Sequence, residues 1–202
     1  YKKYKTNVAY IENFSSILKS NIEEGKRQVE EAFEKVKFDV VIGNPPYQEV
    51  TTGRMMKKGQ QQSVRNVFHE FQLVPDQVAR KYSCLIYPGG RWIQRSGKGM
   101  ADFGLKQINS PYLLEIIYYQ QASEVFKDVA ISDGISIVVK DYHKKNDGFK
   151  FSFIENGLEE QVSLCAPGDK LLVLNPKNSR IVEKIEAFIE NNELHLISNS
   201  EV

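Results

Sequence analysis

The spacing of apolar residues predicts several helices along the chain. Apolar side chains recur every three or four positions in residues 8–36, which predicts a helical stretch that Gly25 divides into two helices. The same period in residues 64–81 predicts another helix, which Pro75 kinks or restarts. Two shorter helices are predicted over residues 100–108 and from Ser179, as the N-cap, to the pair Asn191-Asn192.

Short apolar runs between the helical stretches predict strands. They are rich in β-branched residues and lie at residues 38–43, 83–87, 112–119 and 134–140. The turn Asn146-Asp147-Gly148 predicts a hairpin that pairs residues 134–140 with the alternating residues 149–154. Strands that alternate with helices and end in an antiparallel hairpin predict an α/β fold with a mixed sheet.

The most informative stretch is Asn44-Pro45-Pro46-Tyr47, which directly follows the apolar run FDVVIG. Two prolines forbid a continuing strand or an immediate helix, so the chain leaves the sheet as a stiff turn at a strand's carboxyl end, where open α/β sheets bind ligands. The Asn44 amide and the Pro45 carbonyl can accept the two hydrogens of an exocyclic amino group, and Tyr47 offers a flat face to a planar base. A base bound in this way has to leave the duplex stack. The competing interpretation is a turn that only ends the strand.

Three segments carry a resemblance to a known family. Residues 37–48, KFDVVIGNPPYQ, resemble motif IV of adenine-N6 DNA methyltransferases of the restriction–modification methylase family. Residues 85–98 and 124–138 resemble two later segments of the same family, so that the likeness covers roughly residues 37–140. It implies a partial Rossmann-like, S-adenosylmethionine-dependent methyltransferase fold, with double-stranded DNA as the partner.

The resemblance also implies roles for individual residues. Asn44 and Pro45 hold the adenine amino group, Pro46 stiffens the turn, and Tyr47 stacks on the flipped base. Phe126 flanks the base from the other side, although a Phe after Val125 is equally suited to a core position. The methyl donor implied by the family is S-adenosylmethionine.

The family's cofactor site begins with a Gly-rich turn ahead of the motif, and residues 1–36 contain no such turn. Cofactor-binding residues are therefore not assigned. We expect the cofactor-binding portion to precede Tyr1 or to lie on a partner subunit, which would leave this chain inactive by itself. Two alternatives stay open: a non-enzymatic DNA-binding or subunit-interaction fragment, or a methyltransferase that acts on RNA or on a protein glutamine.

Residues 48–62 show no period and predict a long loop that leaves the motif directly. Arg54, Lys57 and Lys58 make this loop a candidate for DNA contact, and the alternative is a solvated loop without a function. Residues 1–155 are predicted to form the motif-bearing half of the catalytic domain. Residues 156–202, which are loop-rich with two short apolar runs up to residue 176, are predicted to open a following region, a candidate for target recognition.

Composition adds few constraints. Hydrophobic content of 41%, charged content of 26% and a net charge of +1 are ordinary for a soluble globular protein and neither demand nor exclude nucleic acid. No apolar run is long enough for a membrane span, and two cysteines fit a reducing cytoplasm. Three scattered histidines predict no metal site, and Trp92 is predicted to be a packing residue.

Overall fold

The computed structural model describes residues 10–50, 64–97, 99–128 and 131–192. Its strands are β1 (Phe38–Gly43), β2 (Gln48–Val50), β3 (Val64–Asn66), β4 (Ala79–Pro88), β5 (Leu113–Tyr119), β6 (Ile135–Asp141), β7 (Gly148–Glu155) and β8 (Leu158–Cys165). Its helices are α1 (Phe14–Ser20), α2 (Ile22–Ala32), α3 (Leu73–Val78), α4 (Met100–Ile108) and α5 (Ser179–Asn191). Short 3-10 turns cover Glu70–Gln72, Ala122–Glu124 and Pro176–Asn178.

Six strands form one mixed sheet in the order β1-β4-β6-β5-β7-β8, and β2 and β3 form a separate two-stranded ribbon. Strands β1 and β4 pair in parallel, and so do β5 and β7, whereas β6 lies antiparallel between β4 and β5. The carboxyl ends of β1, β4 and β5 therefore meet the start of β6 at a single edge of the sheet. The predicted α/β fold with a mixed sheet is confirmed.

The predicted hairpin between residues 134–140 and 149–154 is wrong. The Asn146 backbone N–H donates to the Pro111 carbonyl over 2.7 Å, and the Asn146 amide donates to the Leu113 carbonyl over 3.3 Å. These bonds tie the turn to the start of β5. Strand β7 consequently pairs on the far side of β5 and not with β6.

The terminal hairpin of the sheet is instead β7–β8, which corrects the prediction of a loop-rich stretch with two short apolar runs over residues 156–176. Its two-residue connection is Asn156-Gly157, with φ of 53° and 72°. Positive φ at both positions matches the turn that best suits the twist of a hairpin. Strand β8 continues the same sheet past residue 155, and the division into residues 1–155 and 156–202 stays a prediction.

The N-terminal helices divide at Asn21 and not at Gly25. Asn21 is extended, and its side chain accepts a hydrogen bond of 3.1 Å from the Glu24 backbone N–H, so it caps α2. Gly25 lies inside α2, where a Cβ atom would come within 2.4 Å of the Leu18 side chain. Gly25 therefore permits the close contact of α1 and α2.

The predicted helix over residues 64–81 is also wrong at both ends. Its first residues form β3 against β2, and residues from Ala79 onwards form β4, so only the 3-10 turn and α3 remain helical. Pro75 lies in the first turn of α3, where a missing N–H is tolerated. Likewise Ser179 does not cap α5: Asn175 caps the preceding turn by accepting from the Lys177 backbone N–H over 3.0 Å.

Aromatic side chains pack under the carboxyl edge of the sheet. Trp92 is 1% exposed and contacts the rings of Tyr87 and Phe103, and its Nε1–H donates to Ser136 Oγ over 2.8 Å. The prediction that Trp92 is a packing residue is confirmed. A Cβ atom at Gly104 would lie 2.0 Å from the Trp92 carbonyl oxygen, so α4 rests directly on the loop that follows β4. This packing fixes the loop that forms one wall of the candidate site.

Strand β1 lies at the edge of the sheet. Among the described residues it pairs only with β4, and its Val40 and Ile42 side chains are 55% and 77% exposed. The carboxyl end of β1 carries the motif, so the motif stands at an open corner of the sheet.

Candidate functional site

A cleft of about 790 Å³ opens at the carboxyl edge of the sheet. One wall is formed by Tyr47 and the β2–β3 ribbon. The other wall is the loop that follows β4, together with residues 131–133 ahead of β6. The topology therefore brings four separate segments of the chain to the place where the sequence predicts ligand binding.

The motif crosses from the sheet to this cleft. Asn44 is exposed directly after β1, Pro45 is half-buried, Pro46 is exposed and Tyr47 is half-buried on the cleft wall. The Tyr47 carbonyl accepts from the Val67 backbone N–H over 3.0 Å, which joins the end of the motif to the segment after β3. The exposed amide and the ring of Tyr47 are thus held at the two ends of a rigid Pro-Pro turn.

Tyr47 packs against the hydrophobic core and lines the cleft. Its hydroxyl is buried and has no hydrogen-bond partner among the described residues. Burial raises the pKa of Tyr47, so the phenol is neutral at physiological pH. Tyr47 accordingly offers the cleft a neutral aromatic surface and not a general base.

Arg65 holds the ribbon together. It lies opposite Glu49 in the β2–β3 register and donates through Nε and Nη2 to Glu49 Oε1 over 2.8 and 2.5 Å. A further Arg65 nitrogen donates to Glu70. Ser15 Oγ of α1 donates to the other Glu49 oxygen over 2.6 Å. One arginine and one carboxylate therefore tie the ribbon to α1 and to the 3-10 turn.

We expect this cluster to make stability fall in acid. Hydrogen bonds from Ser15 and Arg65 lower the pKa of Glu49 below its ordinary value of 4.5. A carboxylate with a lowered pKa stabilises the fold above that ordinary value, and the stabilisation is lost as the pH falls through the folded-state pKa. In melting curves, Glu49→Gln should be less stable at neutral pH and should lose less of its melting temperature in acid. A Glu49→Gln profile parallel to the wild type, or an equal flattening by Glu183→Gln on α5, would refute this.

Asp133 connects the two loops that form the opposite wall of the cleft. Its carboxylate accepts from the Arg91 backbone N–H over 3.0 Å, and its carbonyl accepts from the Gly90 N–H over 2.9 Å. Gly89 has φ of 59°, and a Cβ atom there would overlap the Asp133 side chain. The loop after β4 and the loop before β6 are therefore joined by backbone contacts at the cleft.

The other predicted site residues are Phe126 and the three basic residues of the segment after the motif. Phe126 is half-buried after a 3-10 turn, its N–H donates to the Ala122 carbonyl over 2.8 Å, and it does not line the cleft. Arg54, Lys57 and Lys58 lie outside the described residues. Their roles, like that of Phe126, stay predictions.

The sequence predicted no site role for several polar residues of the cleft wall, among them Gln48, Asn66, His69 and Asp133. Asn66 and His69 lie in the stretch that was misread as helix, and Asp133 lies in an irregular stretch without a period. The one signal in the sequence was the position of Gln48, directly after the motif. Burial lowers the pKa of His69, so its ring is neutral at physiological pH.

Two features are absent from the described ranges: a helix suited to crossing a bilayer and a cluster of metal ligands. None of the helices there combines the length and apolarity that crossing a bilayer requires. In the same ranges no three His, Cys, Asp or Glu side chains form a group that could hold a metal ion.

Comparison with known proteins gives one family match. The Eco57I restriction-modification methylase family matches residues 1–126 of the 202 residues of the chain. No curated protein sequence matches the chain.

Several solved structures share a distant likeness with the chain. A chain from a study of complex assembly and conformational transition of the type I restriction–modification system aligns with 82% of this chain, at 12% identity and a TM-score of 0.43. A modification subunit of a putative type I restriction enzyme from Vibrio vulnificus aligns with 84%, at 15% identity and a TM-score of 0.42. The type I methyltransferase subunit from Streptococcus thermophilus aligns with 81%, at 14% identity and a TM-score of 0.42. These alignments span only 46%, 34% and 34% of the respective solved chains.

Proposed function

The chain belongs to the Eco57I restriction-modification methylase family, and on that premise we propose that it is the motif-bearing part of an adenine-N6 DNA methyltransferase that uses S-adenosylmethionine. The observation that carries the proposal is the position of Asn44-Pro45-Pro46-Tyr47. This stretch leaves the carboxyl end of β1 and runs into the wall of the cleft. The substrate of the proposed reaction is an adenine extruded from double-stranded DNA in a restriction–modification system.

The chemistry of the motif suits an amino group. Asn44 Oδ1 and the Pro45 carbonyl oxygen each accept one hydrogen of the adenine amino group, which leaves the nitrogen lone pair directed away from both acceptors. These dipoles are set in advance by the rigid turn, so little reorganisation is needed during the reaction. The contribution of the motif is therefore to orient the amino nitrogen and to raise its electron density.

Tyr47 supplies the surface on which the base rests. Its ring lines the cleft, and its hydroxyl is turned into the protein. An aromatic face accepts any base by stacking, at about 1–3 kcal/mol per base in single-stranded complexes. We assign Tyr47 to holding the extruded adenine while Asn44 and Pro45 bind its amino group, with Pro46 stiffening the turn between them. Phe126 stays a candidate for the opposite face of the base.

The described residues do not by themselves fit S-adenosylmethionine. In the described part of the segment ahead of β1, residues 10–37, the regular elements are the helices α1 and α2, and no strand followed by a Gly-rich turn that would cradle a nucleoside lies there. We propose that the cofactor-binding portion lies on a preceding segment or on a partner subunit. The open outer edge of β1, with its exposed Val40 and Ile42, is a surface on which such a portion can extend the sheet.

The test is methyl transfer by the complete protein with its cofactor-binding portion. Labelled S-adenosylmethionine is supplied with duplex DNA, with RNA or with protein, and the modified residue is identified after digestion. The proposal expects N6-methyladenine in duplex DNA. Label on cytosine, or label only on RNA or on protein glutamine, would contradict it. Absence of any transfer, together with DNA binding that survives, would favour a binding or subunit-interaction role.

The segment after the motif leads to a second prediction about DNA. Replacing Arg54, Lys57 and Lys58 together with alanine should weaken DNA binding and reduce its salt dependence, with little change in sequence preference, because phosphate contacts carry no sequence information. The slope of log affinity against log salt should fall by up to about one for each phosphate contact that is lost.

The matched control for that experiment replaces three exposed basic residues elsewhere in the chain that do not line the cleft. Lys144 and Lys145 are exposed near the turn that is tied to the start of β5, and Lys106 lies in the last turn of α4. Their removal changes the net charge equally and should leave the slope almost unchanged. Equal slopes for both triple variants would show that the segment after the motif does not contact DNA.

A further inference from the structure

Two side-chain amides lie side by side on the wall of the cleft. Gln48 of β2 and Asn66 of β3 are directly opposite each other in the antiparallel register. Gln48 Nε2 lies 3.4 Å from Asn66 Oδ1, a long hydrogen bond that a ligand can readily replace. Both residues line the cleft, Gln48 exposed and Asn66 half-buried. Neither amide takes part in the proposed binding of the amino group or in stacking on the base.

The amides stand next to the ring proposed to stack on the base. Gln48 follows Tyr47 in the chain, and Val67, which follows Asn66, donates its N–H to the Tyr47 carbonyl. A planar base that rests on Tyr47 therefore presents its edge close to this pair of amides.

The frame that carries the amides is held firmly. The next rung of the ribbon is the Glu49–Arg65 pair, which also binds Glu70 and Ser15. Side chains on such a frame can be placed in advance for a ligand. The backbone that carries the two amides is thus fixed, and their side chains are linked to each other by the long hydrogen bond.

The motif does not by itself choose the base. Adenine and cytosine both carry the exocyclic amino group that Asn44 and Pro45 bind, so a choice between them has to come from contacts with other atoms. Adenine N1 does not distinguish the two bases, because cytosine has its own N3 in the same place beside the amino group. Cytosine has no ring-nitrogen acceptor in place of adenine N7 or N3, and a primary amide has two donor hydrogens for such an acceptor. Asn and Gln side chains are the usual partners of adenine edges in nucleic-acid recognition.

We propose that Gln48 and Asn66 form a base-edge site, in which the Asn66 amide donates to a ring nitrogen of the extruded adenine that cytosine lacks, N7 or N3, and Gln48 supports it. This inference rests on the proposed function and deepens it, because it names the residues that select the base. In this proposal the hydrogen bonds around Arg65 do more than stabilise the fold. They also hold the Asn66 amide at a fixed position beside the Tyr47 ring.

The test pairs a side-chain deletion with deletion of single base atoms. The complete enzyme acts on duplexes whose target is adenine or its 1-deaza, 3-deaza or 7-deaza analogue, and kcat/KM is measured for the wild type and for Asn66→Ala. On adenine we expect the variant to lose about 10–100-fold, the range of one good base contact. On the 7-deaza or the 3-deaza analogue the wild type and the variant should be equal, because the partner atom is absent there. Equality on the 1-deaza analogue alone would contradict selection of adenine, because cytosine offers the same acceptor. Gln48→Ala should show the same pattern with a smaller loss.

Two further variants keep the test decisive. Leu158→Ala shortens an exposed side chain of β8 that does not line the cleft, and it should keep wild-type rates on all four substrates. Asn66→Asp keeps the shape of the side chain and replaces its donor with an acceptor, so it should lose activity as Asn66→Ala does. Asn66→Asp also tests the need for a donor if the alanine variant fails to fold.

The outcomes distinguish a failure of the base-edge site from a failure of the proposed function. If Asn66→Ala lowers the rate by one common factor on adenine and on all three analogues, Asn66 acts on structure and the base-edge site is excluded. If Asn66→Asp keeps wild-type rates on adenine, no donor is required and the proposal fails as well. If the wild-type enzyme does not methylate adenine, the proposed function itself fails, and the base-edge site falls with it before any variant is compared.

Discussion

Asn44→Ala in the complete protein is expected to lower methyl transfer by about 10²–10³-fold, the loss typical of removing one preorganised electrostatic group from an active site. Asn44 is exposed directly after β1, so its replacement leaves no cavity in the core. We therefore expect the melting temperature and DNA affinity to stay near those of the wild type. Single-turnover rates on a duplex with one target site measure the chemical step directly.

The control for this prediction is another exposed asparagine. Asn178 precedes α5, and its side chain makes no capping hydrogen bond. Asn178→Ala should keep wild-type turnover. Near wild-type turnover by Asn44→Ala would show that the motif has been assigned to the wrong chemistry, and an equal loss by both variants would point to an effect on folding.

Tyr47→Ala is expected to impair both base binding and stability, because the ring lines the cleft and also packs against the core. Loss of stacking removes about 1–3 kcal/mol from the binding of the extruded base. Tyr47→Phe keeps the ring and removes a hydroxyl that is buried without a partner among the described residues. That variant should keep most activity and melt at the wild-type temperature or slightly above it, since an unsatisfied buried polar group is unfavourable.

Both effects can be measured on the same protein preparation. Fluorescence of 2-aminopurine at the target position reports extrusion of the base, and a thermal melt reports stability. If Tyr47→Ala melts several degrees lower yet extrudes the base as the wild type does, the stacking role is excluded and Tyr47 is a structural residue. If Tyr47→Phe loses activity along with Tyr47→Ala, the hydroxyl has a role that its buried position does not indicate.

The sequence alone determined the elements whose signals are local. The run at residues 38–43 is a strand as predicted, and so are the runs that became β4, β5, β6 and β7. The runs of β1 and β4 end at Gly43 and Pro88, where the chain cannot readily continue a strand, and the other runs are short apolar or alternating stretches. The rigid turn at Asn44–Tyr47 follows from the same chemistry, and with it the location of the candidate site at a strand's carboxyl end.

Only the tertiary structure decided which strands are neighbours. The pattern of a strand does not specify its partner: β7 pairs with β5 and not with β6, and two hydrogen bonds from Asn146 hold the preceding turn at the start of β5. The helical period of residues 64–81 was overridden where β3 pairs with β2, since hydrogen bonds between distant segments outweigh a weak local preference. The pairing of β3 with β2 brings Asn66 and His69 to the cleft, and the pairing of β6 with β4 brings Asp133 there. One part of the site is the motif, which a single stretch of sequence encodes. The other part consists of segments far apart in the chain, which come together only at the edge of the folded sheet.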